Sequence, residues 1–289
     1  MAKVSVIIPC YNHGQFLDEA VESILGQTFQ DFEIVIVDDG STDPGTKELL
    51  RDYSRAKTRV LEKENGHLSS ARNHGIERSE GEYILTLDAD DLFEKTFLEK
   101  AVSILDKSPE IGAVGCLCQE FGVRNRRYDF KTGGGLVDFL TRNRSSGCAL
   151  FRRQCWEEAG GYDETMKGGY EDWNFWIAVT KQGWFVHSIP EYLFLYRILE
   201  ESMSTVAHAK RPQLIRKIVS NHPEVFGKHV EQVVYEKECE IEKLKHELDQ
   251  MRRSLAFRLG RCLTQPGSVL RGLAKRIGLG GRSSKPGLQ

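Results

Sequence analysis

The first hundred residues alternate short apolar runs with segments of helical periodicity. Apolar runs rich in β-branched side chains predict buried strands at 4–9, 34–37, 60–61 and 83–87. Apolar side chains at helical spacing predict helices at 16–25, 45–53 and 69–77, and Ser41 or Thr42 is a candidate cap for the second of these. Strands that alternate with helices in this way predict an α/β fold, a mostly parallel sheet flanked by helices.

The segment from 110 to 227 has a weaker pattern. Three consecutive glycines at 133–135 indicate a loop, and 146–152 reads as a strand. A helix is predicted at 171–181, with Trp173, Trp176, Ile177 and Thr180 along one stripe. No internal repeat is visible in this segment or elsewhere.

A different periodicity begins at Val230. Apolar residues then recur at alternating spacings of four and three, broken only by Lys237: Val230, Val234, Ile241, Leu244, Leu248, Met251 and Leu255. This seam predicts either a homodimer through a coiled coil at 230–255 or a lone amphipathic helix. We therefore expect three parts: a domain at 1–227, an amphipathic helical extension at 228–258 and a basic tail at 259–289, its end disordered.

The composition of the chain limits the classes of protein and the cellular locations that are expected. The chain has 289 residues and a net charge of -2, and no run approaches the roughly 20 apolar residues that cross a bilayer. Its seven cysteines form no Cys-x-x-Cys, which favours a reducing, cytoplasmic location.

The charge is concentrated at one end of the chain. Residues 250–289 carry nine Lys or Arg and no Asp or Glu, interleaved with apolar residues. We expect this tail to dock on an anionic membrane surface at the inner face or on a partner protein, or to pack on the acidic body. Nucleic acid is not an expected partner, because the tail has few aromatic side chains for base stacking.

Acidic and polar residues follow three of the predicted strands, at 9–12, 38–39 and 88–91. The carboxyl ends of parallel strands meet at one edge of a sheet, where ligands bind. Asp88 and Asp90 are spaced so that both carboxylates can face a hard divalent cation, although a short acidic turn has the same sequence. Tyr11 offers a flat face to a base or to the core. Asp172, at the start of a helix, is either a proton acceptor or an ordinary helix-terminal acid.

The ordered set of motifs resembles the family 2 inverting glycosyltransferases over residues 3–205. The matching segments are 4–12, 23–29, 36–43, 71–75, 87–91, 160–163, 171–173 and 196–197. One departure is His67, where the family usually has glycine.

This resemblance implies a GT-A fold and a nucleotide-diphosphate sugar donor, with a divalent cation, Mn²⁺ or Mg²⁺. It assigns Pro9, Tyr11 and Asp39 to the base and ribose, and Arg72 to the neighbourhood of the nucleotide. It assigns Asp88 and Asp90 to the ribose and metal, Asp172 to the general base, and Glu171 and Trp173 to the acceptor side.

We therefore expect transfer of a sugar, from a UDP donor by family habit, to a hydroxyl of a glycan or lipid-linked acceptor, with inversion. A sugar-phosphate nucleotidyltransferase is disfavoured, because 9–12 replaces the Gly-x-Gly-Thr-Arg type of loop such enzymes carry. A catalytically inactive nucleotide-sugar-binding module would be expected to lose acids that this chain keeps. No phosphate-binding loop of the Gly-x-x-x-x-Gly-Lys type and no His-Glu-x-x-His motif is present.

Overall fold

The computed structural model describes residues 2–127, 132–199 and 207–254. The strands are β1 Val4–Cys10, β2 Phe32–Asp38, β3 Thr58–Glu62, β4 Tyr83–Thr86, β5 Leu92–Phe93, β6 Ile111–Gly122, β7 Arg126–Arg127, β8 Leu150–Arg152 and β9 Phe185–Ile198. The helices are α1 Gly14–Leu25, α2 Pro44–Arg51, α3 His67–Glu77, α4 Phe97–Lys107, α5 Leu136–Thr141, α6 Arg153–Ala159, α7 Glu171–Thr180, α8 Arg211–Asn221, α9 Pro223–Lys228 and α10 Val230–Arg253.

One mixed sheet runs in the order β3-β2-β1-β4-β8-β6-β9-β5, with β7 beside β6. The first four of these strands are parallel, as the strand-helix alternation predicts. Beyond them β8 is antiparallel to both its neighbours, β6 and β9 are parallel, and β5 is antiparallel to β9. The expected α/β fold is therefore confirmed, with antiparallel strands added in the second half of the sheet.

Each face of the sheet carries its own hydrophobic core, because successive side chains of a strand point to opposite faces. Along β1, Val4, Val6 and Ile8 contribute to a core that includes apolar residues of α1 and α4. Ile7 points the other way, into a core that includes residues of α3 and α7. The predicted stripe on α7 is buried throughout, because both Trp173 and Trp176 belong to this second core.

The sheet opens at the carboxyl end of β1. Its ladder with β4 stops at the pair Ile7 and Thr86, whereas its ladder with β2 continues to Cys10 and Asp38. Pro9 therefore lies beyond the last pair with β4. The acidic segments after β2 and β4 begin at this end of the sheet.

Two predicted details are wrong. The cap of α2 is Asp43, whose carboxylate accepts a hydrogen bond from Thr46 N at 2.7 Å, and not Ser41 or Thr42. The strand predicted at 146–152 begins only at Leu150. The hydroxyl of Ser41 is instead used to accept a hydrogen bond from Asn12 N at 3.1 Å.

The chain divides into two compact units after Val233. Helix α10 is 24 residues long and has no buried residue. Within the described ranges, no helix combines the length and the apolar character needed to cross a bilayer. The basic tail predicted at 259–289 lies outside the described residues.

Candidate active site

Hydrogen bonds to Asp39 hold the loop that follows β2. Asp39 is only 3% exposed, and its Oδ1 accepts hydrogen bonds from Lys63 Nζ at 2.8 Å and Gly66 N at 2.9 Å. Its own N–H donates to Cys10 O at 2.9 Å, which joins the ends of β1 and β2. These contacts hold Asp39 rigidly where the loop after β1 begins.

Asn12 connects the loops that follow β1 and β2. Its side-chain oxygen accepts from Thr42 N at 2.7 Å and Asp43 N at 2.8 Å, while its amide nitrogen donates to Thr42 Oγ1 at 3.0 Å. The backbone φ of Asn12 is 58°, in the left-handed region that asparagine tolerates better than most residues. Next to it, Tyr11 is 46% exposed, so its ring is free to meet a ligand, whereas Pro9 is buried in the strand.

Arg72 links two segments that lie far apart in the sequence. From α3, Nη2 donates to Asp88 Oδ1 at 2.8 Å and Nη1 to Glu171 Oε1 at 2.9 Å, while the guanidinium lies 5.3 Å from the centre of the Tyr162 ring. Arg72 is only 1% exposed and Glu171 only 5%, but the Asp88 side chain is 32% exposed. Burial alone would lower the pKa of Arg72, but the charges of Asp88 and Glu171 outweigh burial and raise it well above the ordinary value.

The acids after β4 have different environments. Burial, and then the charge of Asp88, raise the pKa of Asp90, whose Oδ2 lies 3.8 Å from His13 Nδ1. Asp91 is 1% exposed; burial and the charges of Asp88 and Asp90 raise its pKa well above the ordinary value. Arg197 accompanies these acids, because its backbone N–H donates to Asp91 Oδ1 at 2.8 Å and its Nε to Asp90 O at 2.8 Å.

These crowded carboxylates suit a hard cation. One ligand atom each from Asp88, Asp91 and Cys148 lie within 4.8 Å of one another. Mg²⁺ and Mn²⁺ take carboxylate oxygens, and a bound cation would offset both the burial and the mutual repulsion that raise the pKa values of Asp90 and Asp91. Burial and the acids of the site raise the pKa of the Cys148 thiol well above its ordinary value, so the sulfur stays protonated and does not suit a hard ion. The oxygen donors of this cluster are therefore the carboxylates of Asp88 and Asp91, and Asp90, which the resemblance assigns to the metal, is not part of it.

Asp172 follows Glu171 at the start of α7. Its Oδ2 accepts from Asn143 Nδ2 at 2.8 Å and its Oδ1 from Trp173 N at 2.7 Å. Burial and then the neighbouring Glu171 carboxylate raise the pKa of Asp172 to about 7, against the opposing effects of Arg72 and Asn143. A carboxylate with this pKa is a stronger base than an ordinary aspartate, and it is ionised at neutral pH in a large fraction of molecules.

The two neighbours assigned to the acceptor side have structural contacts of their own. Glu171 is bonded to Arg72, as described above. Trp173 is 4% exposed, and its Nε1 donates to Phe139 O at 2.6 Å. Arg211 lies over the rings of both Trp173 and Tyr170, at 5.7 Å from each. Trp173 therefore anchors α7 in the core, and Tyr170 and Arg211 form the more accessible surface beside it.

The comparison with known families covers this site in part. The model of glycosyl transferase family 2 matches residues 5–160, more than half of the chain. The chain belongs to glycosyl transferase family 2. The match includes every candidate residue from Pro9 to Asp90, whereas Glu171, Asp172 and Trp173 lie beyond it.

Individual members of the family and solved structures agree with this assignment. A candidate teichuronic acid biosynthesis glycosyltransferase, TuaG of Bacillus subtilis (strain 168), is 30% identical over 207 residues, covering 70% of this chain and 81% of TuaG. An uncharacterized glycosyltransferase of Haemophilus influenzae is 30% identical over 234 residues, covering 74% of this chain and 71% of that protein.

Solved structures show the same fold. Residues 1–349 of S. aureus TarS in complex with UDP-GlcNAc match with a TM-score of 0.62 at 22% identity, covering 76% of this chain and 66% of TarS 1–349. The crystal structure of TarS 1–349 gives a TM-score of 0.60 at 21% identity, and this chain spans 65% of its length. At these identities the likeness establishes the GT-A fold and nothing finer.

Several residues that contact the candidate site residues are not marked by any sequence motif. Asn143, which bonds Asp172, lies in an irregular segment where no motif singles it out. Lys63, which bonds Asp39, is likewise in a loop. Arg197 stands in a recognised motif, but only the fold reveals its contacts with Asp90 and Asp91.

The departure at His67 has a structural explanation. His67 has a φ of 68°, in the left-handed region that glycine adopts without strain. Its neighbour Gly66 donates its N–H to Asp39. The chain therefore keeps the backbone conformation that suits the family's glycine while carrying a side chain there, next to the loop that holds Asp39.

Proposed function

We propose that this family 2 protein transfers a sugar from a UDP-sugar donor to a hydroxyl of a glycan or lipid-linked acceptor, with inversion at the anomeric carbon. The observation that carries the proposal is the buried guanidinium of Arg72, which bonds both Asp88 and Glu171. One side chain thereby ties the acids after β4 to the start of α7, where Asp172 lies. A proton acceptor next to a candidate diphosphate site is what direct displacement by a hydroxyl requires.

On the donor side, the loops after β1 and β2 form the nucleotide site. The exposed ring of Tyr11 stacks on the base, and Asp39, held by Lys63 and Gly66, accepts hydrogen bonds from the base or ribose. Pro9 shapes the floor of this site from β1. Arg72 supports the donor indirectly, because both of its terminal nitrogens are already used by carboxylates.

A divalent cation held by Asp88 and Asp90 would neutralise charge on the departing diphosphate. Asp88 is the more accessible of the two, and its second oxygen is not needed by Arg72. Asp91 shares the ligand cluster with Asp88, and it is also buried and accepts a hydrogen bond from the Arg197 backbone, so we propose that it positions the turn beside the cation.

On the acceptor side, Asp172 takes the proton of the attacking hydroxyl. The new bond joins that oxygen to the anomeric carbon as the bond to the diphosphate oxygen breaks, and the electron pair leaves with UDP. Attack from the face opposite the leaving group inverts the configuration. Asn143 and the Trp173 N–H fix the carboxylate for this role, and Glu171 holds the helix start against Arg72.

The relatives favour a role in building a cell-surface polysaccharide. TuaG carries teichuronic acid biosynthesis in its name, and the TarS structure was solved with UDP-GlcNAc. We extend both only by analogy, to a uridine donor and a surface glycan.

Thermal unfolding with UDP, GDP, TDP and CMP, each with Mn²⁺ and with a chelator, tests the donor site. A ligand at a hundred times its dissociation constant adds about 2.7 kcal/mol to the stability of the folded state. We expect stabilisation by UDP that depends on the metal. No stabilisation by any nucleoside diphosphate would contradict the proposal, and binding of UDP without release of UDP from any sugar donor would favour an inactive binding module.

The cellular setting stays a prediction of the sequence. A cytoplasmic location at the inner face of a membrane rests on the basic tail, 259–289. Deleting 256–289 should release the protein from membranes and leave turnover unchanged. Unaltered fractionation would contradict the role of the tail. The homodimer through 230–255 is likewise a prediction.

A further inference from the structure

Helix α10 presents an apolar seam to solvent. The apolar seam residues of α10 that lie in the second unit of the chain, from Val234 onward, are 41 to 57% exposed: Val234 54%, Ile241 41%, Leu244 57%, Leu248 45% and Met251 57%. Large apolar side chains repeated on one stripe of a long helix lose favourable burial when they remain in water. The spacing of these residues is that of positions a and d in a heptad, with Val234, Ile241 and Leu248 at a and Leu244 and Met251 at d.

The charged residues that flank the seam identify the occupant. Positions g are Glu240 and Glu247, and positions e are Lys245 and Arg252. In a parallel pair in register, a residue at g faces the residue five positions further on in the other helix. Glu240 then meets Lys245 of the second copy, and Glu247 meets Arg252. All four such contacts of the symmetric pair join opposite charges.

The antiparallel arrangement is disfavoured by the same residues. In that arrangement g faces g and e faces e, and in the register that opposes Glu240 to Glu247 the e positions oppose Glu238 to Lys245. Two like-charged contacts then offset two opposite-charged contacts in each dimer, whereas all four contacts attract in the parallel pair. The apolar residues of the seam also favour the parallel arrangement, because β-branched residues at position a with leucine at position d favour a parallel pair of helices. Val234, Ile241 and Leu244 follow this rule.

Lys237 is the one polar residue in the seam, at position d. Its Nζ bonds Glu240 Oε2 of the same helix at 2.9 Å, so its charge has a partner even in the single chain. In the parallel pair Lys237 also lies beside Glu238, at position e, of the second copy. A single polar core residue of this kind lowers the affinity of a coiled coil and fixes its register.

We propose that α10 joins two copies of this chain as a parallel, in-register, two-stranded coiled coil. The inference goes beyond the proposed function and does not depend on it, because it rests on the exposed seam and the e and g charges alone. The partner is a second copy of the same chain.

The first test reverses one charge in the full-length protein. Glu240→Lys places like charges at both symmetric contacts and should raise the dimer dissociation constant about tenfold, measured by sedimentation equilibrium. Adding Lys245→Glu to the same chain should restore the original affinity. Glu236→Lys makes the same charge change at position c and should leave the affinity within about twofold of the original. Tighter association of Glu240→Lys would indicate the antiparallel pair and overturn the proposal.

The second test reads the register by a disulfide. In a chain with Cys239→Ser and Cys262→Ser, Leu244→Cys puts a thiol in the d layer, where it faces its own copy in the parallel pair. Oxidation should convert most of the protein to covalent dimer. His246→Cys, on the outer position f, should give little. A monomer at all concentrations up to about 50 µM, or equal cross-linking from both positions, would overturn the proposal.

Discussion

Asn143→Ala is the sharpest test of the catalytic role of Asp172. In the structure the Asn143 amide donates to Asp172 Oδ2 at 2.8 Å, and this bond lowers the pKa of a carboxyl that burial and Glu171 raise to about 7. Removing the amide should therefore raise that pKa further. A hydrogen bond to a charged group contributes about 1.5–3 kcal/mol, which corresponds to a shift of about 1 to 2 pH units.

The assay is the pH dependence of kcat/KM, which reports the groups of the free enzyme. The profile of the original protein should rise through about pH 7 as Asp172 loses its proton. For Asn143→Ala the rise should move upward by about 1 to 2 units, so that the rate at pH 6 falls about 10- to 100-fold and recovers above pH 9. Asn125→Ala, at an exposed position, serves as the matched control and should leave the profile in place.

Two results would refute this reasoning. If Asn143→Ala lowered kcat/KM by the same factor at every pH, Asn143 would support the fold and would not control the pKa of Asp172. A profile of the original protein that is flat between pH 5 and 9 would show that Asp172 is not the group whose ionisation controls the rate.

Three further predictions concern stability. Arg72→Ala leaves Asp88 and buried Glu171 without their shared partner and should lower the free energy of unfolding by about 3–5 kcal/mol in urea titration; a loss under 1 kcal/mol would contradict the bridging role. His67→Gly relieves a left-handed backbone and should raise the stability by up to about 1 kcal/mol, visible as a higher Tm, whereas a lower Tm would show that the histidine side chain contributes more than the strain costs. Asp172→Asn should stabilise the unliganded protein by about 1–2 kcal/mol at pH 8, because a carboxyl whose pKa is raised on folding opposes folding when it is ionised. This gain in the free energy of unfolding should vanish toward pH 4, where the carboxyl is protonated. A gain in stability that does not depend on pH would refute that cause.

The first half of the fold follows directly from the sequence. Strands β1, β2 and β4 are largely buried on both faces, so each is a mostly apolar run, and turn residues follow their ends. The sequence marks the candidate acids for the same reason, because Asp39 directly follows β2 and Asp88 comes two residues after the end of β4.

The sequence of the second half of the fold predicts its strands less clearly, for physical reasons. Strand β6 contains Gly112, Gly115 and Gly122 as well as two cysteines, a composition that does not mark a strand. Strand β9 contains Pro190 and has irregular pairing with β6, including a register shift between Cys116 and Leu117, so it lacks a simple alternation. Pairing between these distant segments supplies the stability that local pattern does not show.

The contacts inside the site also depend on long-range folding. Arg72 and Glu171 are separated by 99 positions, and only the packing of α3 against the start of α7 brings them together. Asn143 meets Asp172 across 29 positions from an irregular loop. A family resemblance assigns the charged residues to the candidate site. The contacts that set the position and the pKa of each of these residues are visible only in the three-dimensional structure.

The measurement that tests the central claim most directly compares transfer with donor binding in Asp172→Asn. Product formation and UDP release from a UDP-sugar are followed beside calorimetric titration of UDP with Mn²⁺, with exposed Asp52→Asn as the control. The account predicts a loss of transfer of at least about 10²-fold, the order of general-base catalysis, with the affinity for UDP unchanged within about twofold. Transfer at the original rate, or loss of UDP binding in parallel with activity, would contradict the assignment of Asp172 as the base that activates the acceptor.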